Sequence, residues 1–531
     1  MKIIKILPTI LCSGLLFAAL AAPKPKTPET TVKIDSGMIS GTTEKDIRVY
    51  KGIPYAAPPV GNLRWKAPQK PAKWTGVKVF DQYGNACPQS PYPAASLYFN
   101  KAEKMSEDCL CLNVWTGAKK ADEKRAVMVW IHGGALTRGS SSISFYDGAA
   151  LAAKGVILVS INYRLGPLGY FSHPALSAES KNNVSGNYGT LDQIAALQWV
   201  QRNIAAFGGD PNRVTIFGES AGSWSVCSLV ATPLAQGLFQ RAIGESGAVF
   251  SPMQFLKDKR YGIASAEESG KALARSVGVS DGANALQELR SKSPEELIAA
   301  FEKSGGQARG IVDGYVYPEE VYAIFAKGKQ NKVPVIIGSN ANEGTSLIAP
   351  ALIPKTLAGY KAYLKNRFGD MVDNFLKVYP AASDAEVRNS ILGAFREEIF
   401  TWQMRTWARM AEKSQTKAWL YFFTKVPPRP DKEIYGAYHA AEISYAFNNL
   451  KLSPLTNEKS DFDLANAMSD YWVNFATTGN PNKPGLPAWT SYDEKSEPFI
   501  EFGEQIKPGN HLLKQENDFF EAWFASKRAN P

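Results

Sequence analysis

A chain of 531 residues with 44 % hydrophobic and 11 % aromatic content can bury a large core. It carries no internal repeat, heptad pattern or low-complexity block, which excludes solenoids and coiled coils. The formal net charge of +10 comes from 60 basic and 50 acidic residues that are interspersed, with no Lys/Arg-rich run, so no nucleic-acid partner is expected.

Lys2 and Lys5 precede a mostly apolar run, Ile6 to Leu20, and Ala19-Leu20-Ala21 offers small residues for cleavage. This is the pattern of an export signal over residues 1–21, followed by a flexible tail over 22–31. The run is short for a membrane span, and no later stretch of about 18 apolar residues exists, so none is expected in the mature chain. A periplasmic or secreted location follows. Once Cys12 leaves with the signal, Cys87, Cys109, Cys111 and Cys227 remain. Cys87 and Cys109 sit in loop-like or edge context suited to a disulfide in an oxidising compartment. Cys109 and Cys111 share one strand face, so Cys111 competes as partner. Cys227 reads as a small buried hydrophobe. None of the spacings resembles a zinc site, and no metal or cofactor is expected.

Alternating short runs broken by Gly37 and Gly41 predict a small antiparallel hairpin between Thr30 and Tyr50. A rigid, proline-rich surface segment follows at Gly52 to Gly61. Strands are predicted at Leu112 to Trp115, Ala126 to Ile131 and Val156 to Ile161; Ala126 to Ile131 is a continuous apolar run suited to the middle of a covered sheet, and Val156 to Ile161 reads as another buried strand. Asp192 to Phe207 reads as an amphipathic helix ended by Gly208-Gly209-Asp210-Pro211. Val214 to Phe217 is a strand, and Ser223 to Ala231 a helix. Later strands fall at Ala242 to Gly247, Val333 to Ile337, Ala418 to Phe423 and Phe499 to Phe502, before a terminal helix with Phe519, Phe520 and Trp523. This alternation predicts an α/β fold with crossover helices around a mostly parallel sheet. Charged, helical insertions over about 253–310 and 352–413 are expected to form a lid or pocket wall.

Between that strand and helix lies Gly218-Glu219-Ser220-Ala221-Gly222. Gly-x-Ser-x-Gly between a strand and a helix is a nucleophile elbow: a sharp turn that exposes the serine. Upstream, His132-Gly133-Gly134-Ala135 ends a buried strand. A glycine loop of this kind brings backbone N–H groups close to a ligand and, with the N–H of Ala221, suits an oxyanion hole. A serine needs a base. The chain has only four histidines, and the serine–acid–histidine order of this fold leaves His439 and His511. His439 lies in a loop soon after a strand, whereas His511 falls in a polar tail. Glu343, at the end of the Val333–Ile337 strand, fits the acid; Asp313 is the alternative. Ser246 has no Gly-x-Ser-x-Gly frame.

Phe217 to Gly222, Glu107 to Val114, Asn162-Tyr163-Arg164-Leu165-Gly166, Asn342-Glu343-Gly344 and His439-Ala440-Ala441-Glu442 together resemble the type-B carboxylesterase family, which includes cholinesterases and bacterial para-nitrobenzyl esterases. The resemblance covers about 32–531 as one hydrolase domain. It implies an α/β-hydrolase fold, hydrolysis of small-molecule carboxylic esters, and Ser220, Glu343 and His439 as a triad. It also implies oxyanion donors at Gly134, Ala135 and Ala221, and a Cys87–Cys109 disulfide. Ala135 and Leu136 stand where cholinesterases carry glycine and an aromatic residue, which points to the bacterial esterases. Ser223 replaces a usual glycine. Leu136, Trp224 and Trp402 are candidates for contact with the acyl group, or equally for the core.

Overall fold

A computed structural model describes residues 30–94, 96–100 and 104–529. The expected signal (1–21) and most of the expected tail (22–31) lie outside the described residues.

The strands, in chain order, are β1 (Val32–Ile34), β2 (Gly37–Ser40), β3 (Thr42–Glu44), β4 (Ile47–Pro54), β5 (Val77–Val79), β6 (Cys111–Thr116), β7 (Arg125–Ile131), β8 (Ile157–Ile161), β9 (Gly209–Glu219), β10 (Arg241–Glu245), β11 (Val335–Asn340), β12 (Ala418–Phe423), β13 (Pro498–Phe502) and β14 (Ile506–Asn510). Eleven of them form one sheet in the order β14-β13-β12-β11-β10-β9-β7-β8-β6-β4-β3. The run from β13 to β8 is parallel, and the antiparallel pairs lie at the two edges. The amino-terminal region makes two hairpins, β1–β2 and β3–β4, rather than the single one expected.

The central strands are apolar on both faces because helices cover both. Along β7, Val127, Val129 and Ile131 join one core and Met128 and Trp130 the other, as alternation dictates. On the first side lie the helices Tyr188–Asn203 and Ala221–Ala231; on the second lies Lys459–Thr478, a helix the sequence reading did not identify. The helix expected at Asp192 to Phe207 starts earlier, at Tyr188, and its last turn is 3-10. Helices Ala266–Ser276 and Pro294–Lys303 begin on Ser265 and Ser293, whose side chains accept from the N–H of Glu268 and Glu296. Among the described residues, no helix is long and apolar enough to cross a membrane.

Because β7, β9, β10, β11 and β12 run parallel, their carboxyl ends meet along one edge of the sheet. Every segment of the site described next leaves the sheet there.

Candidate active site

Strand β9 ends at Glu219 and the helix Ala221–Ala231 begins two residues later, so Ser220 alone makes the turn. It does so at φ 57° and ψ −122°, a strained backbone for a residue with a side chain. Its N–H donates to the Glu245 carbonyl of β10 at 2.8 Å, which pins the turn to the sheet. Glycine is required on both sides. A Cβ on Gly218 would come within 2.6 Å of the Ile131 carbonyl oxygen, and one on Gly222 would collide with the same atom.

The glycine loop after β7 folds over this elbow. A Cβ on Gly133 would lie 3.1 Å from Ser220 Cβ, so the two backbones touch. Gly134, Ala135 and Leu136 all take positive φ (103°, 56° and 58°), curling the loop so that the N–H groups of Thr137 and Arg138 return to the Gly134 carbonyl. The N–H groups of Gly134 and Ala135 have no acceptor among the described residues. Ala221 opens a helix, where backbone N–H groups are unsatisfied and the dipole favours negative charge. His132 is held away from chemistry: it stacks on Tyr163 at 4.5 Å, its Nδ1 donates to the Gly133 carbonyl at 2.9 Å, and burial pushes it down to about 4.

Glu343 and His439 come together across 96 residues of chain, with Nδ1 of His439 2.5 Å from Oε2 of Glu343. The second Glu343 oxygen accepts from the N–H of Asn340 at 2.8 Å. The other imidazole nitrogen, Nε2, lies 3.1 Å from Oε1 of Glu219, beside Ser220. Among the described residues the Ser220 hydroxyl makes no hydrogen bond. Phe400 packs on the imidazole at 4.8 Å; it stands in a π-helical segment, Glu397–Thr401, that interrupts the second insertion. The hydroxyl of Tyr98 donates to the His439 carbonyl at 3.1 Å.

Charge around His439 was not legible in the sequence. Glu219, Glu245, Glu343 and Glu442 are all buried at this edge. Burial pushes the carboxyls of Glu219 and Glu245 well up; it lifts Glu442 to about 7, with Glu343 adding to the effect. Burial lowers His439, but Glu219 and Glu343 outweigh it and raise the imidazole to about 9.

Several of the remaining candidates are engaged elsewhere. Asp313 accepts from the N–H groups of Tyr315, Val316 and Tyr317 and from Asn187, so it ties a turn. His173 caps the helix Pro174–Glu179, and His511 stands half-exposed 3.9 Å from Glu497. Ser246 is buried at φ 56° and donates its N–H to Gly338. Trp402 is core: it stacks on Phe524 of the terminal helix at 4.1 Å and donates to Glu521. Trp224 packs on Gly247, and the Leu136 carbonyl accepts from Gly166. Ser223 donates to the Gly247 carbonyl, fastening the elbow helix to the loop after β10. Cys87 and Cys109 form a disulfide, while Cys111 stays a buried thiol beside Asn162, pushed up to about 12.

A mostly parallel sheet with a strained serine at a strand–helix elbow and a glycine loop folded over it defines an α/β-hydrolase. The Carboxylesterase family model matches residues 28–520, and the chain belongs to that family, the type-B carboxylesterases; it is a carboxylic ester hydrolase. The chain is 37 % identical over 494 residues to fumonisin B1 esterase of Sphingopyxis macrogoltabida, covering 91 % of this chain and 88 % of that one. It is 34 % identical to para-nitrobenzyl esterase of Bacillus subtilis (strain 168), covering 88 % and 94 %. A solved PNB esterase superposes with a TM-score of 0.79 at 33 % identity, over 93 % of this chain and all of that one. A thermophilic PNB esterase gives 0.81 at 32 %, with coverage of 93 % and 100 %.

Proposed function

We propose that the protein is an exported serine esterase that splits small carboxylic esters through an acyl-Ser220 intermediate. The observation that carries the reading is the 2.5 Å contact of Glu343 with His439, whose Nε2 lies 3.1 Å from Glu219, the residue before the strained Ser220. His439 takes the Ser220 proton as the hydroxyl oxygen bonds to the ester carbonyl carbon. The N–H groups of Gly134, Ala135 and Ala221 receive the negative charge on the former carbonyl oxygen, each donor being worth roughly 3–4 kcal/mol in the transition state. His439 returns the proton to the leaving alcohol oxygen as the C–O bond breaks. Water then repeats the sequence on the acyl-serine, releasing the acid and restoring the hydroxyl. Glu343 orients the imidazole and stabilises its cation. The reaction as written calls on no metal or cofactor.

Export is supported by the sequence of residues 1–21 and by the Cys87–Cys109 disulfide, which suits an oxidising compartment. The hydrolase domain is assigned to about 32–531, with the insertions over about 253–310 and 352–413 as the wall or lid of the substrate pocket. The test is turnover of p-nitrophenyl acetate together with labelling by a fluorophosphonate probe. Both are expected to vanish in Ser220→Ala, with the label mapping to Ser220 in the parent; turnover retained in that variant overturns the reading. A panel of aryl, aliphatic, para-nitrobenzyl and fumonisin B1 esters, with an amide as control, assigns the substrate class.

A further inference from the structure

One buried side chain joins the loop of Glu343 to the loop of His439. Asn340 is the last residue of β11 and is fully buried. Its backbone N–H donates to Glu343 Oε1 at 2.8 Å. Its Nδ2 donates twice, to the Tyr438 carbonyl at 2.9 Å and to Glu442 Oε2 at 2.5 Å. Tyr438 immediately precedes His439 and Glu442 follows three residues later, so one amide grips both ends of the segment that carries the imidazole. The other links between the loops lie further upstream: Asn342 pairs with Ala437, and the Thr345 hydroxyl donates to the Tyr435 carbonyl.

The chemistry of the partners fixes the amide's orientation. A backbone carbonyl and a carboxylate accept hydrogen bonds, so the nitrogen must face both. Glu442 is fully buried, and its Oε1 has no partner among the described residues. An apolar side chain of similar size would fill the same space without the cost of burying a carboxyl. The acid therefore has a use beyond packing, and the group it holds is Asn340.

We propose that Asn340, anchored by Glu442, is a positioning residue of the hydrolysis: it sets the distance between the Glu343 carboxylate and the His439 imidazole. The inference rests on the triad reading above. Asn340→Asp keeps the size and the backbone N–H but replaces the donating nitrogen with an accepting oxygen that faces the Tyr438 carbonyl and Glu442. With p-nitrophenyl acetate, kcat is expected to fall about 100-fold while KM stays within about twofold, as for a misplaced reacting group. The added negative charge also moves the acid limb of the kcat/KM profile to higher pH. Asn340→Leu, near in volume, loses activity like the aspartate but gives no pH shift. Far-UV circular dichroism and melting midpoints identify variants that hold the fold. The proposal is overturned if folded Asn340→Asp and Asn340→Leu keep kcat within about twofold of the parent. A Ser220→Ala control that still turns over the ester would instead sink the triad reading, so the two failures are told apart.

Discussion

Nε2 of His439 lies 3.1 Å from Oε1 of Glu219, the residue immediately before Ser220. The imidazole is thus flanked by carboxyls at both nitrogens, since Nδ1 meets Glu343. Burial alone would lower it; Glu219 and Glu343 raise it to about 9. To accept the serine proton the imidazole must be neutral, which holds above its pKa. The acid limb of kcat/KM should therefore centre above about 6.5, the ordinary histidine value. Glu219→Gln removes one negative charge and should move that limb to lower pH. A pH–rate series with p-nitrophenyl acetate, corrected for spontaneous hydrolysis, reads both. No shift in Glu219→Gln would mean that Glu219 keeps its own proton throughout the range.

Arg164 and Asp192 form a buried bidentate pair, with both guanidinium contacts at 2.7 Å and the Arg164 N–H adding a third at 3.1 Å. Arg164 lies two residues before Gly166, whose N–H holds the Leu136 carbonyl of the glycine loop. Arg164→Met leaves a buried carboxylate without its cation and should cost about 3–5 kcal/mol. Arg164→Met with Asp192→Leu should regain most of it. Urea unfolding of the single and double variants is the measurement, and a double variant no more stable than the single one would refute the pairing argument.

The Cys87–Cys109 bridge closes a loop across a sequence separation of 22. Chain-entropy arguments give a crosslink of that span about 3 kcal/mol of stability. Cys87→Ala combined with Cys109→Ala should lower the unfolding free energy by that order, and the parent should lose a similar amount under reductant. Cys111, buried with its thiol pushed up to about 12, should not replace Cys109 as partner in a Cys109→Ala variant. Non-reducing peptide mapping of that variant decides it.

The central strands were legible because a strand covered on both faces carries a continuous apolar run, as in Ala126 to Ile131. The pairing of Glu343 with His439 was legible because the fold prescribes an order of residues and only four histidines were available. Burial and facing direction were not. Glu219 and Glu442 both stand inside stretches that carried the resemblance, yet nothing in the letters says that one points at Nε2 and the other at Asn340. Asn340 was hidden by a boundary error: the strand expected to stop at Ile337 runs to Asn340, which pairs with Phe423 of β12. Trp402 could not be placed between pocket and core from the letters, because the partners that make it core, Glu521 and Phe524, arrive from a helix more than a hundred residues later.

Gly133 gives the sharpest test of how the glycine loop meets the elbow. A Cβ there would lie 2.8 Å from the Glu219 carbonyl oxygen, 2.9 Å from Glu219 Oε2 and 3.1 Å from Ser220 Cβ. Two of those atoms are held by the strained turn and cannot swing aside, so Gly133→Ala must push the loop off the elbow. Overpacking of this kind costs about 1–3 kcal/mol, small enough for a protein this large to stay folded. The catalytic cost is larger, because the N–H groups of Gly134 and Ala135 move with the loop. Losing aligned oxyanion donors lowers kcat by about 100- to 1,000-fold, with KM little changed. Gly282→Ala is the control: an added Cβ there meets nothing within 4 Å, so kcat should equal that of the parent. Parental kcat in a folded Gly133→Ala enzyme would show that the loop stands clear of Ser220 during the reaction and supplies no donors to it.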